Sequence, residues 1–370
     1  MSPTPVRWPL HPPPHPLESL SSWLERLARL YRMPVKQLIA TLSPANADNT
    51  NRQDWDYRPV PPWLADALVE RTGIDPAHLK TMTVTGWAPW LIDPPDATNF
   101  KAQESFDTYV RQNPVLLRPG EAGRNHITAW TSWHGPWMPT HKYQQRRCLL
   151  CAADPTHPRA LVWRLPLVAG CADHGIRLDN AADVERSVAL TDHDLELAPG
   201  LQRLRPAPLT EPLTTLDHYT YQGLATGQVS LPGRPVHVAV WLRLLRTLLD
   251  EVSLAPSTKR SRTKQRLELI WETAGLPPRG GLTSWKPYEL MDPPMQDAML
   301  HAAATALNLV AQRKITAAGT LASALAPPPR QPMYEGHKPT PLAVRRSWRR
   351  SPRPVPVQTT SVMCADDYEH

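Results

Sequence analysis

Cys148 and Cys151 stand with two residues between them, and Cys171 and His174 repeat that spacing after an interval of nineteen residues, 152–170. Two residues between donors let a tight turn aim both side chains at one ion, and the interval suits two short strands with a connection. Two such turns close a tetrahedron of three thiolates and one imidazole, the donor chemistry of zinc. A lone Cys-x-x-Cys leaves chance and metal evenly matched, and the second pair decides for metal. A catalytic zinc keeps one position open for water, whereas Cys148, Cys151, Cys171 and His174 fill all four. The expected cofactor is therefore one structural Zn2+, whose binding contributes directly to the folding of residues 145–179. Disulfide pairing is the competing reading. The first twenty residues carry prolines and histidines where a secretory signal has its apolar stretch, so a reducing cytosol is expected instead.

The whole chain narrows the function classes. Its 370 residues have room for two or three modules, and no apolar run reaches the length of a membrane span. Lys and Arg number 41 against 34 Asp and Glu, a formal charge of +7 that suits a polyanionic partner such as nucleic acid. No Gly-x-x-x-x-Gly-Lys phosphate loop is present, and no carboxylate base accompanies an open metal position, so an enzyme is not expected. With 44 prolines, 14 tryptophans and 2 phenylalanines, short elements and stiff connections are expected, with tryptophan filling core positions.

These elements must position the four ligands. The fold class predicted is mainly α: a helix-turn-helix-like N-terminal domain, a small zinc-bound β module, a C-terminal helical domain and a disordered tail. The corresponding boundaries are a proline-rich arm at 1–16, a helical domain at 17–138, the zinc module at 139–180, a helical domain at 181–326 and the tail at 327–370. The arm either docks a partner or covers its own core through Trp8 and Leu10. Residues 17–31 carry Leu17, Leu20, Trp23, Leu24, Leu27, Leu30 and Tyr31 at helical spacing, with Glu18, Glu25, Arg26 and Arg29 off that stripe. A second helix spans 35–42. Pro61-Pro62 opens a third, ending at Thr72-Gly73, and Asp75 caps a fourth over 76–82. Residues 86–138 lack periodicity, and Trp87, Trp90, Trp130, Trp133 and Trp137 are expected in the core. Residues 160–168 are the best strand candidate, with Pro166 arguing for an edge. After a stretch at 182–235 that is loop-rich with unplaced short helices, a helix is predicted at 236–252 with Arg243 and Arg246 off its apolar face, another over 267–274, and an Ala-rich one over 296–313 carrying Ala298, Ala302, Ala303 and Ala306.

Candidate DNA contacts follow from the helix pair and from charge. The pair at 63–82 exposes His78, Lys80 and Thr81, against the plainer reading of ordinary helix packing. Lys259, Arg260, Arg262, Lys264 and Arg266 form a basic run leading into a helix, which suits phosphate contact or a solvated surface equally. Arg345, Arg346, Arg349 and Arg350 around Trp348 lie in the tail, and Cys364 stands alone there.

Taken together, the proline-rich entry, the segment Glu18-Ser19-Leu20-Ser21-Ser22-Trp23-Leu24, the Thr72-Gly73 turn and the zinc module resemble the TniQ family. The wording around the ligands is the most specific part: Arg147-Cys148-Leu149-Leu150-Cys151-Ala152, then Trp163-Arg164-Leu165-Pro166 before Cys171-Ala172-Asp173-His174-Gly175. The resemblance covers roughly the first half of the chain. It implies a target-selection factor for transposition that binds double-stranded DNA or a separate DNA-bound targeting complex, recruits a AAA+ ATPase regulator and performs no chemistry. It also implies a bacterial cytoplasmic protein that joins the nucleoid when bound to DNA. Cys148, Cys151, Cys171 and His174 carry over as zinc ligands. Several relatives hold a second Cys/His set, whereas here no cysteine follows Cys171 until Cys364, which leaves one zinc. The alternative is a zinc-containing helix-turn-helix transcriptional regulator.

Overall fold

Ser19 sets the entry to the first helix, its hydroxyl accepting the Ser22 amide at 3.3 Å. The computed structural model describes residues 7–44, 55–87, 91, 114–118, 121, 146–154, 156–198, 200–254, 261–277 and 288–326. Four helices lead the chain: α1 (Leu20–Leu30), α2 (Val35–Leu42), α3 (Pro62–Thr72) and α4 (Pro76–Thr81). Leu20, Trp23, Leu24 and Leu27 recur on one face of α1 and share a core with Leu38, Ile39, Leu64, Leu68, Leu79 and Trp55. Gly73, at φ 72°, ends α3 in the left-handed region that suits glycine, and the Asp75 carboxylate then accepts the Ala77 and His78 amides. The expected helix pair is present.

Residues 7–16 cover this core. The Trp8 amide donates to the Arg71 carbonyl at 2.8 Å, and the Tyr31 hydroxyl donates to the Leu10 carbonyl at 2.8 Å. Trp23 Nε1 and Arg26 Nη2 donate to the carbonyls of Pro12 and Pro13. The prolines lack donors, so they bind through the one group they retain. Trp8 packs on the core as the covering reading requires, whereas Leu10 remains 51% exposed.

Glu18 corrects the sequence reading. Placed off the apolar stripe, it is in fact buried, accepting from Ser22 Oγ at 2.8 Å, Arg26 Nε at 2.9 Å and the His15 amide at 2.9 Å. It precedes the helix, next to Leu17 at φ 60°, so helical phase does not govern its direction.

The middle segment opens with β1 (Arg146–Arg147), which pairs antiparallel with β2 (Asp179–Asn180) in the register Arg146↔Asn180 and Arg147↔Asp179. Between them lie α5 (Leu149–Ala153) and a 3-10 turn at Leu161–Arg164. That turn stands where a strand was expected over 160–168. Leu161, Val162, Trp163, Leu165, Leu167 and Val168 are all buried, and burial on every side is a pattern that apolar runs share whatever their backbone. Ala160 makes a single bridge to Glu18, and the Leu161 amide donates to the Leu17 carbonyl. Two ion pairs reinforce this seam: Arg159 with Glu25, and Arg164 Nε with Asp56 at 2.8 Å.

The described chain continues with α6 (Ala181–Ala189), α7 (Asp192–Leu197), α8 (Glu211–Thr226), β3 (Gln228–Ser230), β4 (Pro235–His237), α9 (Val238–Val252), α10 (Ser261–Thr273), a 3-10 turn at Tyr288–Leu290, α11 (Pro293–Ala311) and the short α12 (Ala322–Leu325). The sixteen-residue α8 falls in the stretch read as loop-rich, because Asp217, Thr220 and Gly223 interrupt its buried face. Helix α9 is buried nearly all round, which overturns the placement of Arg243 and Arg246 on a polar side. Arg246 meets Glu289 at 2.9 and 3.2 Å, both side chains 1% exposed. Ala302, Ala303 and Ala306 are buried as expected. Helices α8 to α12, Trp87 and the middle segment share a second core. Trp90, Trp130, Trp133, Trp137 and the tail at 327–370 lie outside the described residues. No described helix is long and apolar enough to cross a membrane.

Arg246→Met removes the cation that Glu289 faces in a dry core. Denaturant unfolding should show a loss of about 3–5 kcal/mol, and Arg246→Met with Glu289→Leu should recover much of it, because replacing both charges removes the desolvation cost as well.

Candidate metal centre

The two ligand pairs come from different local structures. Cys148 precedes α5 in extended backbone and Cys151 sits one turn into that helix, which brings both sulfurs to the same side. Cys171 and His174 lie in a knuckle closed by two backbone hydrogen bonds, Cys171 N–H to the Ile176 carbonyl and Gly175 N–H to the Cys171 carbonyl, each 2.9 Å. Gly175 adopts φ 62°, the conformation that turns the chain back and that a side chain resists. Pairing of β1 with β2 then brings the entry to the first pair beside the exit from the second.

The four donors converge. Cys151 Sγ is 3.6 Å from Cys171 Sγ, and His174 Nδ1 lies 3.6, 3.2 and 3.6 Å from the sulfurs of Cys148, Cys151 and Cys171. With zinc–sulfur bonds of about 2.3 Å and zinc–nitrogen bonds of about 2.0 Å, a tetrahedron separates sulfur from sulfur by about 3.8 Å and sulfur from nitrogen by about 3.5 Å. The observed spacings fit that polyhedron. The three cysteines are buried and His174 is exposed. Hydrogen bonds from Cys151 and Cys171 hold the Cys148 thiol low, and the same sharing with Cys148, together with burial, pushes Cys151 and Cys171 up. A divalent cation held among the three sulfurs would allow all of them to ionise together.

His157 and Asp173 flank the cluster, Nε2 to Oδ2 3.3 Å, with the His157 ring 5.5 Å from that of His174. With Cys151 they form a second donor group that shares a sulfur with the first, so the described residues offer one complete four-donor set. Sequence reasoning passed over His157, although its place between the ligand pairs was a usable signal.

Residues 9–178 match the family model described as TniQ. The chain carries a TniQ domain. The match spans both ligand pairs and ends just before β2. At family level TniQ is associated with target selection in transposition and acts as a non-catalytic adaptor. Neither a curated protein nor a solved structure matches the chain significantly.

The remaining candidates are spread over two cores. In the TniQ domain Lys80 and Thr81 are exposed on α4 and His78 is half-buried, while the same helix packs on the first core through Leu79. The groove of about 730 Å³ between α3 and α4 is lined by Val60, Val69 and Leu79 and carries Asp66 and Glu70 as well as Lys80, so its charge is mixed. Arg262 and Lys264 are exposed on α10, which packs on the second core through Leu267 and Ile270. Lys264 lies 3.5 Å from Glu268, and Arg266 donates to the Leu116 carbonyl at 2.6 Å, a structural contact. Lys259 and Arg260 lie outside the described residues.

Purified protein should retain one tightly held divalent metal per chain by elemental analysis, and Cys171→Ser should lose it. A ratio near two, or full occupancy in that variant, would contradict the ligand set.

Proposed function

We propose that this chain is a target-selection factor for DNA transposition, binding double-stranded DNA or a DNA-bound targeting complex and recruiting a AAA+ ATPase regulator. The observation that carries the reading is the TniQ match lying over a donor set with no open position. The metal in this reading is Zn2+. Three sulfurs and one imidazole at tetrahedral spacing suit its softness and its indifference to geometry, while Mg2+ and Ca2+ take oxygen donors. Zinc held by four protein ligands stiffens a fold and leaves no site for substrate. His78, Lys80 and Thr81 on α4 and the basic run from Lys259 to Lys264 ahead of and within α10 are the DNA-facing residues of this proposal.

Two measurements test it. Replacing Lys259, Arg260, Arg262 and Lys264 by alanine should weaken affinity for duplex DNA and reduce the slope of log affinity against log salt by roughly one unit per lost phosphate contact. Arg266 is left intact because it supports Leu116. An unchanged slope returns the run to a solvated surface. The full-length protein should also retain the cognate AAA+ ATPase in a pull-down with ATP and DNA. Sequence-specific operator binding with no ATPase retained would instead make the protein a transcriptional regulator built on the α3–α4 pair.

A further inference from the structure

The knuckle that carries Cys171 and His174 is held by residues beyond the end of the TniQ match. Asp217, on α8, is 4% exposed, and its carboxylate accepts the Ala169 amide at 3.1 Å and the Gly170 amide at 2.7 Å. One helical turn later the Tyr221 hydroxyl donates to the Gly170 carbonyl at 2.8 Å and accepts from Trp163 Nε1 at 3.0 Å. Both peptide groups flanking Gly170 are thereby fixed, and the next residue is the ligand Cys171. A Cβ at 170 would lie 2.1 Å from Leu209 Cδ1 and 3.2 Å from Asp217 Oδ2, so any side chain there would force Leu209 to move. From the other side the chain at 207–208 lines the outgoing strand: Arg177 N–H donates to the Ala207 carbonyl at 2.8 Å, and Ile176 bridges to Pro208. The approach to Cys171 and the exit from His174 are therefore both clamped by residues 207–221.

We infer that Asp217 and Tyr221 are positioning residues of the metal centre, which makes metal affinity a joint property of the TniQ domain and the helix α8 that follows it. The inference rests on the reading of Cys148, Cys151, Cys171 and His174 as a metal site. The physical reason is preorganisation. Between the ligand pairs lie only the end of α5 and one 3-10 turn, and the knuckle's own hydrogen bonds set its internal shape, while Asp217 and Tyr221 tie it to α8. A donor misplaced by a fraction of an ångström weakens the metal bond, and a backbone fixed in advance avoids the ordering cost at binding. Asp217 does this as an acceptor for two adjacent amides, a role that no aliphatic residue of the same helix can take.

The test uses the full-length chain, unaltered and with Asp217→Ala, Asp217→Asn or Tyr221→Phe. Metal affinity is read by competition with a chromophoric chelator, and ligand geometry by the thiolate-to-metal absorption of the Co2+-loaded protein. Asp217→Ala should lower affinity about 10- to 100-fold, the range seen when residues that hold metal ligands are removed. Tyr221→Phe should lower it by a smaller factor, and Asp217→Asn, which keeps one acceptor oxygen, should fall between Asp217→Ala and the unaltered chain. The rise in melting temperature on adding metal should shrink in the same order, whereas a purely structural role would lower the melting temperature with and without metal alike. If Asp217→Ala does not fold, Tyr221→Phe and Asp217→Asn carry the test. Unaltered affinity, absorption and metal-induced stabilisation in these variants overturn the inference. An unmodified chain that binds no metal overturns the underlying site instead.

Discussion

Three sulfur atoms and an imidazole nitrogen cannot be packed within one ion's reach without a reason, since partial charges of one sign crowd together there. A divalent cation would resolve the conflict by attracting all four donors at once. Much of the middle of the chain would then take its path from that resolution. Between Arg146 and Asn180 the regular structure amounts to one two-residue strand pair, a five-residue helix and one 3-10 turn. Elements so short bring few apolar contacts of their own, so the path of the segment is set by its donors and by the surfaces it lies between.

Those surfaces belong to different cores. Toward the N-terminus the segment meets Glu18 through Ala160, Glu25 of α1 through Arg159, and Asp56 and Ser21 through Arg164, contacts that are largely polar. Toward the C-terminus it merges with the core of α8, α9 and α11: Leu165, Leu167 and Val168 pack with Leu216, Trp241 and Leu300 in one cluster. Arg146 adds an ion pair with Asp297 at 2.6 Å on α11. The end of the family match at Leu178 is accordingly a boundary of sequence likeness and not of packing.

The parts legible in the sequence are those specified over a few residues. The spacing of the four donors, the Asp75 cap, the Gly73 turn and the stripe through Leu20, Trp23, Leu24 and Leu27 are local, and each is found where it was expected. What escaped is specified by partners far along the chain. Arg246 looks like a surface residue until Glu289 is brought against it, and burying either one alone would be prohibitive, whereas Glu18 escaped locally because it precedes the helix whose phase was used to place it. Helix α8 escaped for a related reason: Asp217 breaks its apolar face, and its use becomes visible only when the amides of Ala169 and Gly170 lie opposite. The run at 160–168 misled because uniform burial erases the alternation that separates strand from turn. Charge runs at 78–81 and 259–266 were easy to see, yet a list of charges does not say which face they share.

The seam between Glu18 and Ala160 has a bearing on how the protein is made. The Ser22 hydroxyl and the Arg159 amide that it engages are 137 residues apart. At synthesis rates of about 5–20 residues per second, the first helix leaves the ribosome roughly 7–27 s before its partner exists. During that time the Glu18 carboxylate can already be satisfied by Ser22, Arg26 and His15, all within eight residues of it. The nascent helix thus carries its own provisional neutralisation, and the late-arriving segment docks onto an end that is already closed.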